Sequence, residues 1–128
     1  MVQLAASAAD QSQAPSAGLA GAPIDRDHLK RMTLGDRSLE LEVLQLFDRQ
    51  AELLVGRMRQ AEPAALFALA HALKGSARGI GAWGVADAAE ALERTAAAPG
   101  DERAAALNGL AAAVAAARAT IAELLPTV

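Results

Sequence analysis

One run of the chain gathers residue types that do chemistry: His71-Ala72-Leu73-Lys74-Gly75-Ser76-Ala77-Arg78-Gly79-Ile80-Gly81. A neutral imidazole is nucleophilic at about pH 7, because its unperturbed pKa is about 6.5. It can take a phosphoryl group through a nitrogen–phosphorus bond that stays energy-rich, so onward transfer to a carboxylate is feasible. If the run is helical, Leu73 and Ile80 share an apolar stripe, and His71 lies about 200° around from Leu73, facing outward. The same outward face carries Phe67 and Ala68 one turn before, Lys74 and Gly75 one turn after, and Arg78 and Gly79 beyond them. Lys74 can reach phosphoryl oxygens as a point charge. The bare attraction at about 4 Å and an effective dielectric of about 20 is about 4 kcal/mol. Exposed pairs typically yield only about 0–1 kcal/mol, so Lys74 should strengthen transfer rather than create it. Glycine inside a helix costs about 1 kcal/mol relative to alanine. An alanine-rich chain that places Gly75 one turn from the imidazole is read as leaving clearance for something bulky. Each feature alone has a plain explanation: a surface histidine, solvated charges, a glycine that lets helices pack tightly. Their combination favours chemistry.

Other chemical groupings are weaker. Glu90 and Glu93 share a helix face, but two acids one turn apart are common and no pocket is evident between them. A metal site built from His28 and His71 has no zinc-ligand spacing and no cysteine to assist it. Ser76 lacks the strand–turn–helix setting of a nucleophilic serine. Trp83, the only tryptophan, is read as a plug at an edge of the fold, or else as apolar area on a docking surface.

The elements that position these residues are all helical. Asp25 caps a short helix reaching Leu34, which Gly35 stops; Asp36 caps a long helix to about Gln60. In that second helix Leu39, Val43, Phe47, Leu54 and Met58 mark the inner face. Pro63 suits the first turn of a third helix, whose stripe is Leu66, Leu69, Leu73, Ala77 and Ile80. Gly79, Gly81 and Gly84 crowd its end and signal a break. A fourth helix turns Val85, Ala88, Ala89, Leu92 and Ala96 inward. Pro99-Gly100 signals a turn, and Asp101 is the expected cap of the last helix. There Leu107, Leu110, Val114, Ala117, Ile121 and Leu124 alternate three and four apart, the pattern of an antiparallel bundle. The predicted fold is all-α: an up-down antiparallel four-helix bundle with a short N-terminal helix across one end. Residues 1–22 read as a flexible tail, and 23–128 as the bundle domain.

Composition sets the outer limits. The 128 residues fit one domain, and 53% are apolar while only 2% are aromatic, so alanine supplies most of the apolar character. Helices packed through small side chains follow from that. The net charge is −3 with both signs interspersed. No basic stripe suits a nucleic-acid backbone. The chain has no cysteine, which excludes disulfide and thiolate chemistry. No apolar run approaches the roughly 20 residues of a bilayer span, and the first residues lack the basic region and apolar block expected of a signal peptide. A soluble cytoplasmic protein is expected.

At His71-Ala72-Leu73-Lys74-Gly75-Ser76-Ala77 the sequence resembles the histidine-containing phosphotransfer family of two-component phosphorelays. Ile80-Gly81, Ala91-Leu92-Glu93 and the upstream Phe47 also match that family's pattern. The resemblance covers about residues 25–125, and its specific part is 67–93. It implies that His71 is the phospho-acceptor, taking phosphate from a receiver-domain aspartate and passing it to another. It implies that Lys74 stabilises the phosphorylated ring and Gly75 leaves room for docking. The docking face is then Phe67, Ala68, Lys74, Gly75, Arg78 and Gly79. Glu93 stands where a polar side chain often orients the imidazole; ionised, it accepts hydrogen bonds and donates none. The implied partners are response-regulator receiver domains and a hybrid histidine kinase. The carrier has no kinase activity and no cofactor of its own; Mg²⁺ belongs to the receiver. A monomer is expected.

Two rival readings differ in kind. The dimerisation and phosphoacceptor subdomain of a histidine kinase normally has an acidic residue after its histidine and a proline soon after; here Ala72 follows and no proline occurs before Pro99. A non-catalytic helical adaptor would treat His71 as incidental.

Overall fold

The computed structural model describes residues 22–126. The tail expected over residues 1–22 lies outside the described residues, apart from Ala22. Among the described residues there are five helices and no strand: α1 (Arg26–Met32), α2 (Arg37–Met58), α3 (Pro63–Ile80), α4 (Trp83–Thr95) and α5 (Gly100–Leu124).

Local chemistry places most of the helix ends. The Asp25 carboxylate accepts the His28 N–H at 3.0 Å, and that of Asp36 accepts the Leu39 N–H at 3.1 Å. Both satisfy backbone donors that a helix start leaves unpaired. Pro63 occupies the first turn of α3, where its missing N–H is no loss. α3 ends at Gly81, with φ at 80° in the left-handed region, and Ala82 N–H closes the turn on the Ala77 carbonyl at 2.8 Å. A Cβ at Gly81 would lie 2.8 Å from the Asp25 carbonyl oxygen, so backbone shape and contact both demand glycine there. Asp101 does not cap α5. Pro99 takes that position without a side-chain bond, and Asp101 lies in the first turn with Glu102. Their charges still complement the positive end of the helix. Between α1 and α2 the chain turns through Leu34 at φ 56° and Gly35 at φ 74°.

The helices close into a ring: α2 packs on α3, α3 on α4, α4 on α5, and α5 back on α2, while α1 rests on α3. The connections between consecutive bundle helices are short, which sets neighbours antiparallel. Large side chains such as Leu44, Leu66, Leu73, Leu92, Leu110 and Ile121 fill the centre. Ala70 and Ala77 on α3 and Ala86 and Ala89 on α4 are also buried, and small residues there let the two helices approach closely.

The inner face of α2 differs from the expected one. Its buried residues are Glu40, Leu44, Phe47, Ala51 and Met58. Val43 and Leu54 are only partly buried, and Leu39 is exposed. The cause is a helix with leucines on both sides: Leu39, Leu46 and Leu53 repeat every seven residues on the solvent face, so periodicity alone cannot choose the phase. α5 also amends the sequence reading. At 25 residues, with a mean hydropathy of 1.4 over its most apolar stretch, it is long and apolar enough to cross a membrane by length and composition. Alanines scattered through it supply that hydropathy without forming a block of large side chains. In the bundle, Leu110, Val114, Ala117 and Ile121 of this helix are buried.

Candidate functional site

The phase of α3 determines what faces out. With Leu66, Ala70, Leu73, Ala77 and Ile80 buried, the opposite side of the helix must carry His71. Its side chain is 67% exposed. Phe67, Ala68, Gly75 and Arg78 are also exposed, and Lys74 and Gly79 partly so. All six residues of the expected docking face therefore lie on one accessible side of α3.

α4 then brings Glu93 to this face. One carboxylate oxygen, Oε2, lies 2.7 Å from His71 Nδ1, and the other, Oε1, accepts from Lys74 Nζ at 2.7 Å. The Glu93 side chain is only 8% exposed and that of Lys74 15%, so both hydrogen bonds are partly shielded from water. Burial works to raise the Glu93 pKa. The hydrogen bonds from Lys74 and His71, with the charges on both groups, outweigh it and hold the carboxyl below its ordinary 4.5. Glu93 is therefore ionised at neutral pH and can only accept. The proton in the short contact must then sit on His71 Nδ1, which donates it. In the neutral ring this leaves Nε2 as the atom with the free lone pair.

The flanking contacts complete the face. The Phe67 ring lies parallel to the imidazole, at 7° between planes and 6.2 Å between centroids. Arg78 Nη2 donates to Glu90 Oε1 at 3.0 Å, and Arg94 Nη1 reaches Glu90 Oε2 at 3.2 Å. Glu90 and Glu93 thus serve different cations and do not act as a carboxylate pair. Among the described residues, an added Cβ at Gly75 or Gly79 would meet nothing within 4 Å. That removes tight helix packing as the reason for Gly75 and leaves open space beside His71.

The second histidine is elsewhere. His28 on α1 donates from Nε2 to the Arg78 carbonyl at 2.9 Å and packs edge-on against Trp83, with ring centroids 4.8 Å apart. Trp83 Nε1 donates to Asp25 Oδ2 at 3.0 Å. Trp83 is therefore the plug at the bundle edge, joining α1 to the break between α3 and α4. Desolvation raises the Asp25 pKa, but the hydrogen bonds from Trp83 and the His28 backbone overcome it and leave the carboxyl below its ordinary value. Among the described residues no three His, Cys, Asp or Glu side chains gather where a metal ion could be held.

Two features of the site escaped the sequence reading. The Glu93–Lys74 bond depends on how α4 lies against α3, which no local spacing reveals. The Phe67–His71 stack had a signal, the four-residue spacing that places two side chains one above the other.

A family model for the Hpt domain matches residues 37–124, which includes α2 through α5 and every residue of the α3 face. Searches of curated proteins and of solved structures find no match.

Proposed function

This chain belongs to the Hpt domain family, whose members carry phosphoryl groups in two-component signalling, and from that premise we propose that His71 relays phosphate between receiver-domain aspartates. The observation that supports it best is the split role of the imidazole: Nδ1–H is held by Glu93 at 2.7 Å while the side chain remains 67% exposed. The Nε2 lone pair attacks the phosphorus of a receiver's aspartyl phosphate. The Nε2–P bond forms, the P–O bond to the aspartate breaks, and the aspartate leaves as carboxylate. The Nδ1 proton stays in place. Positive charge that builds on the ring is met by the Glu93 carboxylate, and no proton has to move. Return transfer reverses each bond change at a second receiver, with Nε2 as the leaving group.

Lys74 shares the Glu93 carboxylate with His71, which sets a cation beside the imidazole. In the unphosphorylated protein its ammonium is bonded to Glu93, so contact with a phosphoryl group requires it to leave or share that partner. The acidic pocket and Mg²⁺ are supplied by the receiver, and this chain brings the nucleophile, its orienting carboxylate and an open approach at Gly75. Phe67, Ala68, Lys74, Gly75, Arg78 and Gly79 form the docking surface. The chain works as a cytoplasmic monomer without kinase activity of its own, between a hybrid kinase and its response regulators. Incubation of a radiolabelled phospho-receiver with wild-type protein and with His71→Gln tests this. Label should pass to the wild type alone; equal labelling of both would overturn the assignment.

A further inference from the structure

Phe67 is an uneconomical residue for a solvent face. The chain holds two phenylalanines, one tryptophan and no tyrosine. Phe47 is buried in the core and Trp83 joins α1 to the α3–α4 break, while Phe67 remains 48% exposed on the outer side of α3. Its ring is paired with that of His71. The two rings are stacked within 7° of parallel, at a centroid distance inside the range where aromatic pairs attract.

A single hydrogen bond to Nδ1 removes only one of the two torsional freedoms that set the imidazole's plane. With Glu93 as the only restraint, coupled rotation about Cα–Cβ and Cβ–Cγ can still tilt the ring while Nδ1 stays near the carboxylate. The lone pair on Nε2 lies in the ring plane, so the tilt of that plane sets the direction of attack. A flat side chain one turn earlier, parallel to the ring, removes this remaining freedom. We infer that Phe67 is a positioning residue for His71: Glu93 fixes the ring's anchor point and Phe67 fixes its plane, so that Nε2 is presented in one direction before a partner docks.

This inference rests on the phosphotransfer reading of the site, and its test separates the two. Phe67→Leu keeps apolar bulk for docking but removes the flat ring, and Phe67→Tyr keeps the ring. Transfer from a phosphorylated receiver is measured over a range of receiver concentrations. In Phe67→Leu the maximal rate should fall about tenfold, with the half-saturating concentration changed by less than about twofold. Phe67→Tyr should restore the wild-type rate. Carbon-13 relaxation at His71 Cδ2, measured without any partner, should show a lower order parameter in Phe67→Leu and an unchanged one in Phe67→Tyr. A raised half-saturating concentration at unchanged maximal rate would make Phe67 a docking contact only and overturn the inference. So would an unchanged order parameter. Failure of the wild type to accept label from any receiver would instead sink the relay, and the relaxation measurement would still decide whether Phe67 orders the ring.

Discussion

The chain has two histidines on two helices, and they show what makes an imidazole available. His28 is half-buried; its Nε2–H is committed to the Arg78 carbonyl and its ring to the edge of Trp83. His71 also has one nitrogen in a hydrogen bond, but the bond is to a carboxylate, the nitrogen is Nδ1, and the side chain is mostly exposed. A backbone carbonyl as partner fixes a ring in the fold. An ionised carboxylate also fixes the tautomer and offsets charge that forms on the ring. The first histidine ties α1 to the bundle, and the second leaves most of its side chain to solvent.

Exchanging the two rings for glutamine breaks the comparison most directly. His71→Gln should lose all phosphoryl labelling and keep its melting behaviour, because the side chain has little burial to lose. His28→Gln should keep labelling and lose about 0.5–1.5 kcal/mol of stability in urea titrations. The next effect concerns the partner that distinguishes them. Glu93→Ala frees Nδ1 and leaves Lys74 without its carboxylate; transfer should slow by about ten- to a hundredfold, as when an orienting hydrogen bond to a histidine ring is lost. Glu93→Gln keeps an acceptor and should be less impaired in the same single-turnover assay.

Access is the third difference. A Cβ at position 75 would meet nothing within 4 Å among the described residues, so Gly75→Gln should leave stability unchanged or raised by up to about 1 kcal/mol. Transfer should nonetheless be blocked, and full activity in that variant would contradict the clearance reading. A smaller effect comes from pH. The folded-state pKa of Glu93 lies below its ordinary 4.5, so ionised Glu93 stabilises the fold above that value, and its contribution is lost as pH falls through the folded pKa. Acid unfolding of the wild type should therefore show an added loss of stability below about pH 4.5 that Glu93→Gln lacks. The smallest effect lies far from reaction chemistry. Leu34 has a left-handed backbone at φ 56° with its side chain 92% exposed. Leu34→Gly should raise stability by about 0.5–1 kcal/mol without touching transfer.

Much of this was legible in the residues. Caps at Asp25 and Asp36, the proline at the start of α3 and the glycine at its end are local signals, and local chemistry made the helix ends. The outward direction of His71 followed from the spacing of Leu66, Leu73 and Ile80. The phase of α2 was not legible, because Leu39, Leu46 and Leu53 offer a second apolar line and only packing selects the other. Asp101 looked like a cap, but Pro99 already supplied the extended backbone that starts α5. The carboxylate beside His71 could be placed only by resemblance, since the meeting of α3 with α4 is set by buried alanines whose register no local pattern encodes. Its second bond, to Lys74, was not foreseen for the same reason.

The central claim is that Glu93 reserves Nδ1 for a proton and leaves Nε2 to carry phosphate. Long-range nitrogen–proton correlation on the phosphorylated, nitrogen-15-labelled protein reads which ring nitrogen bears the phosphoryl group. The account predicts phosphorus coupling at His71 Nε2 with the proton retained on Nδ1. Phosphate on Nδ1, or on any residue other than His71, would contradict it.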